Sequence, residues 1–532
     1  MQTIIVTSGP IGAGKSEFIA AIERNYPAER VSTRKFILAT TGCENERRAL
    51  QMAGDQLDEK TSGSWVADAV DEAIKEGSSS EILLVDSARI PNQINELRRR
   101  FGSSVFHVHL TAEPEELERR YVSRSSDLKE FETYLEASNH GTEQKVPELE
   151  KIADLSLSTD HVDAESLART ATAWWGLKAN EYDPKRLVDV IVGGQYGSEG
   201  KGNVCAHIAK NYEALVRIGG PNAGHCVAEP EYKYVQLPSG TGSNPKAKIF
   251  IGAGSTIWLP QILKEIGDHS LDGDRLHIDP QAMIIEDRDQ EIEAGGLQNI
   301  STTGQGVGAA AARKILNRGN ETWSVPVRLA RDVEELKDYI QDVRLCLENL
   351  LESGARVLVE GTQGTMLSIH HGLYPHVTSR ETTVAGCLSD AGIAPARLNR
   401  VIMVVRTYPI RVGGPSGWIG PELTYEELSR QSNIPIDELK ETEKGTVSKK
   451  QRRIAKFDYG QLWRSVTMNG ATEIAITFAD YLGIENRDAK SFDELNENTR
   501  DFIQRIERVS GVPVTMVSKD FAVDGVLETE TD

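Results

Sequence analysis

Short β-branched runs alternate with longer amphipathic stretches along the first third of the chain. TIIVTS, EILLVDSAR and SSVFHVHL read as buried strands, since short apolar runs between polar residues suit strands covered on both faces. SEFIAAIERNY, SWVADAVDEAIKEG and PEELERRYVSR carry their apolar residues at helical spacing, with one face to bury. Strand–helix alternation of this kind predicts a parallel α/β sheet. The polar stretch ANEYDPKRL, Ala179 to Leu187, predicts a linker with a boundary near Asp183. A fresh strand, VDVIVGG, follows it, and the alternation restarts. The expected architecture is α/β, with two parallel-sheet domains of P-loop type over residues 1–180 and 184–532. No repeat or low-complexity tract interrupts this pattern, and the final ETETD reads as a frayed acidic end.

Composition narrows the function. The 532 residues carry a net charge of −20, which removes the basic field that unspecific nucleic-acid or anionic-membrane binding requires. The five cysteines, Cys43, Cys205, Cys226, Cys346 and Cys387, are scattered and show no C-x-x-C spacing. Neither a disulfide framework nor a zinc knuckle is expected, and a reducing cytoplasmic setting fits. The start MQTIIVTSGP lacks the basic and apolar regions of a signal peptide. No apolar run reaches the length of a membrane span.

Two glycine-rich loops carry candidate chemistry. GPIGAGKS, Gly9 to Ser16, follows a strand and opens a helix, as a phosphate-binding loop must. Gly9, Gly12 and Gly14 let main-chain N–H groups curl around phosphate oxygens; Lys15 reaches the β- and γ-phosphates, and Ser16 can ligate Mg²⁺. Asp86, at the end of ILLVD, is a candidate carboxylate for the same ion. DSARIPNQINELRRRFG, VHLTAEPEELERRYVSR and EASNHGTEQKVPELEKIADLSLS resemble small nucleoside-monophosphate and dephospho-coenzyme-A kinases, whose lid arginines correspond to Arg119, Arg120 and Arg124. That resemblance implies a nucleotide-kinase-like first domain.

The second loop, GGQYGSEGKG, fails the P-loop pattern. Gln195 stands where its first glycine belongs, and Gly202 rather than Ser or Thr follows Lys201. The loop still runs from a strand into a helix and suits an anion. RIGGPNAGHCV, ISTTGQGVGAAAARK, VEGTQGTMLSIHHGLYPHVTSRETTVAG, RTYPIRVGGP and EKGTVSKKQRRIAKFD follow in order. This set, over residues ~187–520, resembles the adenylosuccinate synthetase family.

The resemblance implies the family's fold and a ligase. It joins L-aspartate to C6 of a 6-oxopurine nucleotide through a 6-phosphoryl intermediate, at the expense of a nucleoside triphosphate. It implies Mg²⁺, held by the residue at 198 and by the Gly224 carbonyl. His225, Lys201 and Gln363 would be catalytic. Asn222, Thr303, Gln363 and Thr378 would contact the purine nucleotide. Gly197, Gly200, Lys201, Gly202 and Asp480 would hold the triphosphate. Thr446, Ser448, Lys450 and Arg452 would bind aspartate, with Lys450 where an arginine is usual. A homodimer is implied, with Asn317 or Arg318 near the place of an arginine lent between subunits.

Two departures refine this expectation. Ser198 stands where the family has an aspartate that takes the purine N1 proton. The same change marks the 2-aminoadenylosuccinate synthetases of viruses that use 2-aminoadenine, whose substrate is deoxyguanylate. A shorter side chain frees room beside C2, and its oxygen can accept from a 2-amino group. GMP or dGMP is therefore the expected substrate, with Glu199 or a metal-bound water as the N1 base. The family's guanine-reading lysine is replaced by Phe478, and its later S-x-G-P contact by SKDF. ATP or dATP becomes the expected donor in place of GTP. Two alternatives stand beside this reading: a conventional enzyme acting on IMP with GTP, and a purine-nucleotide sensor without turnover.

Overall fold

A computed structural model describes residues 2–45, 47–76, 80–123, 133–139, 143–177, 184–296, 298–318, 326–444, 450–523 and 525–529. The expectations for Arg124, Thr446, Ser448 and most of the linker fall outside these residues. The chain divides into two compact units, Met1–Asp183 and Pro184–Asp532.

Unit 1 is a five-stranded parallel sheet in the order β2-β3-β1-β4-β5. TIIVTS forms the central β1, Thr3–Ser8. β3, Ile82–Val85, and β4, Val105–Thr111, lie on either side of it in parallel register. Helices Lys15–Asn25, Trp65–Lys75 and Pro114–Val122 occupy the amphipathic stretches. Alternate strand residues feed opposite faces. Ile4, Val6, Leu83 and Val85 pack on one side, and Ile5, Leu84 and Leu110 against Phe18 on the other. β2, Ala28–Val31, and β5, Leu155–Ser158, are absent from the sequence reading. Both are edge strands that carry polar residues, so no apolar run marks them.

Unit 2 is built on a nine-stranded sheet. VDVIVG forms β6, Val188–Gly193, buried at every residue. In chain order the other elements are β7, Ala214–Arg217; the hairpin β8, His225–Ala228, with β9, Glu231–Tyr234; β10, Lys248–Ile251; β11, Leu276–Ile278; β12, Val357–Glu360; β13, Leu398–Arg406; β14, Glu473–Thr477; β15, Val514–Ser518; and β16, Val526–Glu528. The sheet runs β11-β10-β7-β12-β6-β13-β14-β15-β16, with β6 between β12 and β13. Only β16 is antiparallel to its neighbour. Val190, Val359 and Met403 feed one apolar layer; Ile191, Leu358 and Ile402 feed the other. Both faces are covered, as parallel sheets require. The carboxyl ends of β6, β7 and β12 therefore meet along one edge, where open α/β sheets carry their ligands. No helix among the described residues is long and apolar enough to cross a membrane.

Candidate functional site

The loop after β6 turns into helix Lys201–Ile208 through Gly200, whose φ of 87° is left-handed and open to glycine without strain. A side chain at Gly202 would come within 3.0 Å of the His225 Cβ, so its absence lets this helix lie against β8. Glu199 and Lys201 are each 1% exposed. Glu199 accepts from the main-chain N–H groups of Gln195 (3.0 Å) and Gly197 (2.7 Å) and from Lys201 Nζ (2.6 Å). Its carboxylate is thus occupied in shaping the loop, and it does not line the neighbouring cavity.

That cavity measures about 450 Å³. Gly197 and Ser198 enter it from the first loop, and Asn222, Gly224 and His225 from the loop after β7. Thr303, Gln363, Thr378 and Arg452 close it. Gln363 Nε2 donates to Asn222 Oδ1 at 2.9 Å, and Thr362 donates to Gln363 Oε1 at 2.8 Å. Gln363 holds a φ of 57°, a conformation that a non-glycine residue keeps only when its surroundings impose it. These motifs stand far apart in sequence, and the strand order of unit 2 brings them to one rim.

Behind His225 lies a buried charge cluster that sequence reasoning missed. His225 Nδ1 pairs with Glu360, at the end of β12. The Glu360 carboxylate also accepts from Arg217 (2.7 Å) and from the hydroxyl and main-chain N–H of Ser239 (2.5 and 2.6 Å). Burial works to raise the Glu360 carboxyl; Arg217 and His225 outweigh it and hold it down at about 2. Burial, with Arg217, holds His225 down at about 4. The Nδ1–H donated to Glu360 fixes the ring, and Nε2 is the nitrogen left without a partner among the described residues. Arg217 and Glu360 sit inside the motifs RIGG and VEGTQGT, yet nothing in their spacing announces the pairing.

The remaining expected residues among those described, Gly200, Lys201, Gly202, Lys450 and Asp480, do not line the cavity. Asp480 is buried; Arg487 donates to one carboxylate oxygen at 2.8 and 3.0 Å, and Oδ1 has no partner among the described residues. Burial raises its carboxyl to about 6. Phe478 stacks on Arg406, whose guanidinium carbon is 3.6 Å from the ring centre. Arg406 pairs with the buried Glu443, which also accepts from Tyr481 (2.7 Å) and faces Arg452 (3.4 Å). Lys450 is exposed and does not line the cavity.

Among the described residues no cluster of three or more His, Cys, Asp or Glu stands ready to hold a metal. Mg²⁺ asks less than that: it takes a few hard oxygens and leaves the rest to water and substrate phosphate. Ser198 and Gly224 both line the cavity, and a hydroxyl and a main-chain carbonyl are oxygens of the kind such a site takes.

In unit 1 the first turn of the glycine-rich loop lies against β4, and a Cβ at Gly9 would meet the Leu110 carbonyl oxygen at 2.3 Å. Gly12 and Gly14 follow with positive φ, and Gly14 caps helix Lys15–Asn25. Lys15 Nζ donates to the Gly9 and Pro10 carbonyls at 2.6 and 2.8 Å. Ser16 is exposed at the helix start. Asp86 accepts from the Thr33 hydroxyl at 2.7 Å, and burial raises its carboxyl. Arg120 reaches the Gly12 carbonyl at 3.4 Å and Thr159 at 2.7 Å; Arg119 pairs with Glu116 at the surface.

Comparison with known proteins gives a family and several relatives. A family model for adenylosuccinate synthetase matches residues 190–331 and 324–487. The chain is similar to the adenylosuccinate synthetase of Methanocaldococcus jannaschii, at 36% identity over 62% of this chain and 93% of that one. The similarity to the enzyme of Archaeoglobus fulgidus is 38% over 62% and 94%. Among solved structures, the fully ligated adenylosuccinate synthetase of Plasmodium falciparum matches with a TM-score of 0.57 at 25% identity, covering 65% of this chain and all of that one. The succinoaminodeoxyadenylate synthetase of cyanophage S-2L, bound to dGMP with dATP as energy donor, matches with a TM-score of 0.54 at 28% identity, covering 65% and 96%.

Proposed function

The chain belongs to the adenylosuccinate synthetase family, and from that premise we propose that unit 2 joins L-aspartate to C6 of GMP or dGMP. One observation carries the preference: Ser198, where the family has an aspartate, lines the cavity together with Asn222 and Gln363. The purine 2-amino group then meets a hydroxyl that can accept from it rather than a longer carboxylate that crowds it. The phage relative, solved with dGMP and dATP, supports the same assignment and the same donor class. ATP or dATP fits here because the Phe478 ring, packed on Arg406, offers no donor to a guanine 6-oxygen. Asp480 Oδ1 remains available to an exocyclic amine.

The reaction runs in two steps. The purine 6-oxygen bonds to the γ-phosphorus as the N1 proton leaves, and the bond to the nucleoside diphosphate breaks. The aspartate amine then bonds to C6, and the C6–O bond breaks to release phosphate. Ser198 and Gly224 would hold Mg²⁺, which would supply charge neutralisation to the phosphoryl transfer. Lys201, here paired with Glu199, and the loop N–H groups that Glu199 does not occupy would hold the triphosphate. His225 Nε2 donates to the transferred phosphoryl once protonated, with Glu360 behind the ring favouring that charge. Gln363 and Asn222 fix the base, and Arg452 receives an aspartate carboxylate. With Glu199 held by the loop, the N1 proton passes to solvent in the cavity. The active form is a homodimer, with Asn317 or Arg318, just past helix Val307–Leu316, near the place of the arginine lent between subunits. Unit 1 is a second phosphotransferase.

Aspartate-dependent phosphate release, measured with ATP and Mg²⁺ across IMP, GMP, dIMP and dGMP, tests the reading. Release with GMP or dGMP and not IMP is expected, and release with IMP alone overturns it. Ser198→Asp is expected to invert the preference, raising IMP turnover at least tenfold and suppressing dGMP turnover.

A further inference from the structure

β4 of unit 1 departs from the apolar pattern of its own sheet face. Ile4 and Val6 of β1 and Val105 of β4 are core residues there. Toward the carboxyl end the column turns polar, with Ser8, His107 and His109. The register sets Ser8 opposite His109 and Val6 opposite His107. All three side chains are buried, at 0, 0 and 2% exposure. Ser8 Oγ lies 2.6 Å from His107 Nε2 and 2.8 Å from His109 Nδ1. A core gains nothing from three adjoining polar side chains at positions that aliphatic residues fill elsewhere.

The column ends at a cavity of about 190 Å³. His109 lines it, and so do Pro10 and Ile11 of the glycine-rich loop. The cavity therefore opens beside the phosphate-binding turn. Its polar walls are Thr111, Ser138, Tyr134, Glu143 and Glu150, and no lysine or arginine lines it among the described residues. Glu143 also accepts from the Ile11 N–H at 3.2 Å, which ties this wall to the loop.

The two bonds to Ser8 Oγ admit a direction that leaves one His109 nitrogen to the cavity. With the His107 proton on Nδ1, which has no partner among the described residues, His107 Nε2 accepts from the Ser8 hydroxyl. Ser8 Oγ then accepts from His109 Nδ1–H, and His109 Nε2 keeps its lone pair for the cavity. Burial holds His107 down at about 4 and lowers His109 as well, so both rings are neutral near neutral pH. A neutral imidazole held at one ring nitrogen, with the other facing a cavity beside a glycine-rich loop, is the arrangement a general base needs.

We propose that unit 1 transfers a phosphoryl group to an uncharged, hydroxyl-rich small molecule of sugar or nucleoside type, with His109 as the base. This rests on the reading of unit 1 as a phosphotransferase and specifies its acceptor. The acceptor hydroxyl gives its proton to His109 Nε2 while its oxygen bonds to the γ-phosphorus of a nucleoside triphosphate. The bridging Pβ–O–Pγ bond breaks at Pγ, and its electron pair leaves with the nucleoside diphosphate. Glu143 and Glu150 accept from neighbouring hydroxyls and repel an anion, so a nucleoside monophosphate is disfavoured. The volume, below that of drug-sized pockets, suits a small acceptor.

The test uses the full-length protein with ATP and Mg²⁺ and without aspartate, so that the ligase reaction is silent. Neutral pentoses, hexoses and the ribo- and deoxyribonucleosides are compared with the matching 5′-monophosphates, and phosphorylated product is followed by mass. Product from a neutral acceptor, and none from monophosphates, is expected. His109→Asn should lower that turnover about 10²-fold or more. It should leave the Lys15-dependent part of ATP binding, and the ligase reaction assayed separately, unchanged within twofold. Added imidazole should restore part of the turnover of His109→Gly, which a structural role for the ring would not allow. Transfer only to monophosphates, no transfer to any acceptor while ATP binds through Lys15, or full turnover by His109→Asn overturns the proposal. ATP binding unchanged by Lys15→Ala instead removes the phosphotransferase reading beneath it.

Discussion

Glu360 is the residue on which the geometry behind His225 turns. It is a buried carboxylate held ionised by Arg217, the His225 ring and two Ser239 donors. Removing its charge leaves Arg217 buried without its counter-ion, at a cost of about 3–5 kcal/mol. Glu360→Gln is expected to lower kcat of the ligase about 10²-fold, with the purine-nucleotide KM little changed, and to lower the denaturation midpoint. The sign with pH follows. A folded value near 2, against 4.5 for a free carboxyl, gives stability that is full above 4.5 and lost as pH falls toward 2. Asp480 runs the other way. Burial raises it to about 6 from 3.8, so its contribution to stability is full below 3.8 and is lost as pH rises through 6. Its ionised form is the better acceptor for a donor nucleotide's amine. The ATP KM should therefore fall as pH rises through about 6, and Asp480→Asn should flatten that profile in initial-rate measurements.

At the scale of elements, the end of helix Ile436–Thr442 joins two parts of the site. Glu443 follows that helix and is fully buried. It binds Arg406, on which Phe478 stacks, and Tyr481, and it faces Arg452. Its main-chain carbonyl accepts from the Arg452 N–H at 3.0 Å and from Gln451 Nε2 at 3.0 Å. The carboxylate and carbonyl of Glu443 thus anchor the segment that carries Arg452, just before strand Arg453–Ala455, and the wall that carries Phe478. Glu443→Gln is expected to raise the aspartate KM at least tenfold and the ATP KM by less, read from initial rates with each substrate varied. An equal effect on both, with a matching loss of stability, would reduce Glu443 to a general packing residue.

At the scale of the molecule, each unit has its own sheet and its own apolar layers on both faces. The archaeal relatives match this chain over nearly their whole length and over less than two thirds of its own. Residues 184–532 produced alone are therefore expected to fold in one cooperative transition and to keep the aspartate-dependent phosphate release of the full chain within threefold. Loss of that release with retained secondary structure would mean that unit 1 completes the ligase site.

The sequence by itself determined the class of fold, the strands at the centre of each sheet, both glycine-rich loops and the family. These are local properties: apolar runs, helical periodicity, and glycines at turns that other residues cannot make. It also made Ser198 conspicuous, because the motif around it left one expected acid missing. Tertiary structure decided the rest. The edge strands Ala28–Val31 and Leu155–Ser158 escaped because their polar residues give no burial signal. The occupation of Glu199 by its own loop, the Arg217–Glu360–His225 cluster, the anchoring by Glu443 and the Ser8–His107–His109 column are pairings across many residues. Strand order and register create them, and both are set by the packing of whole layers rather than by any stretch of chain.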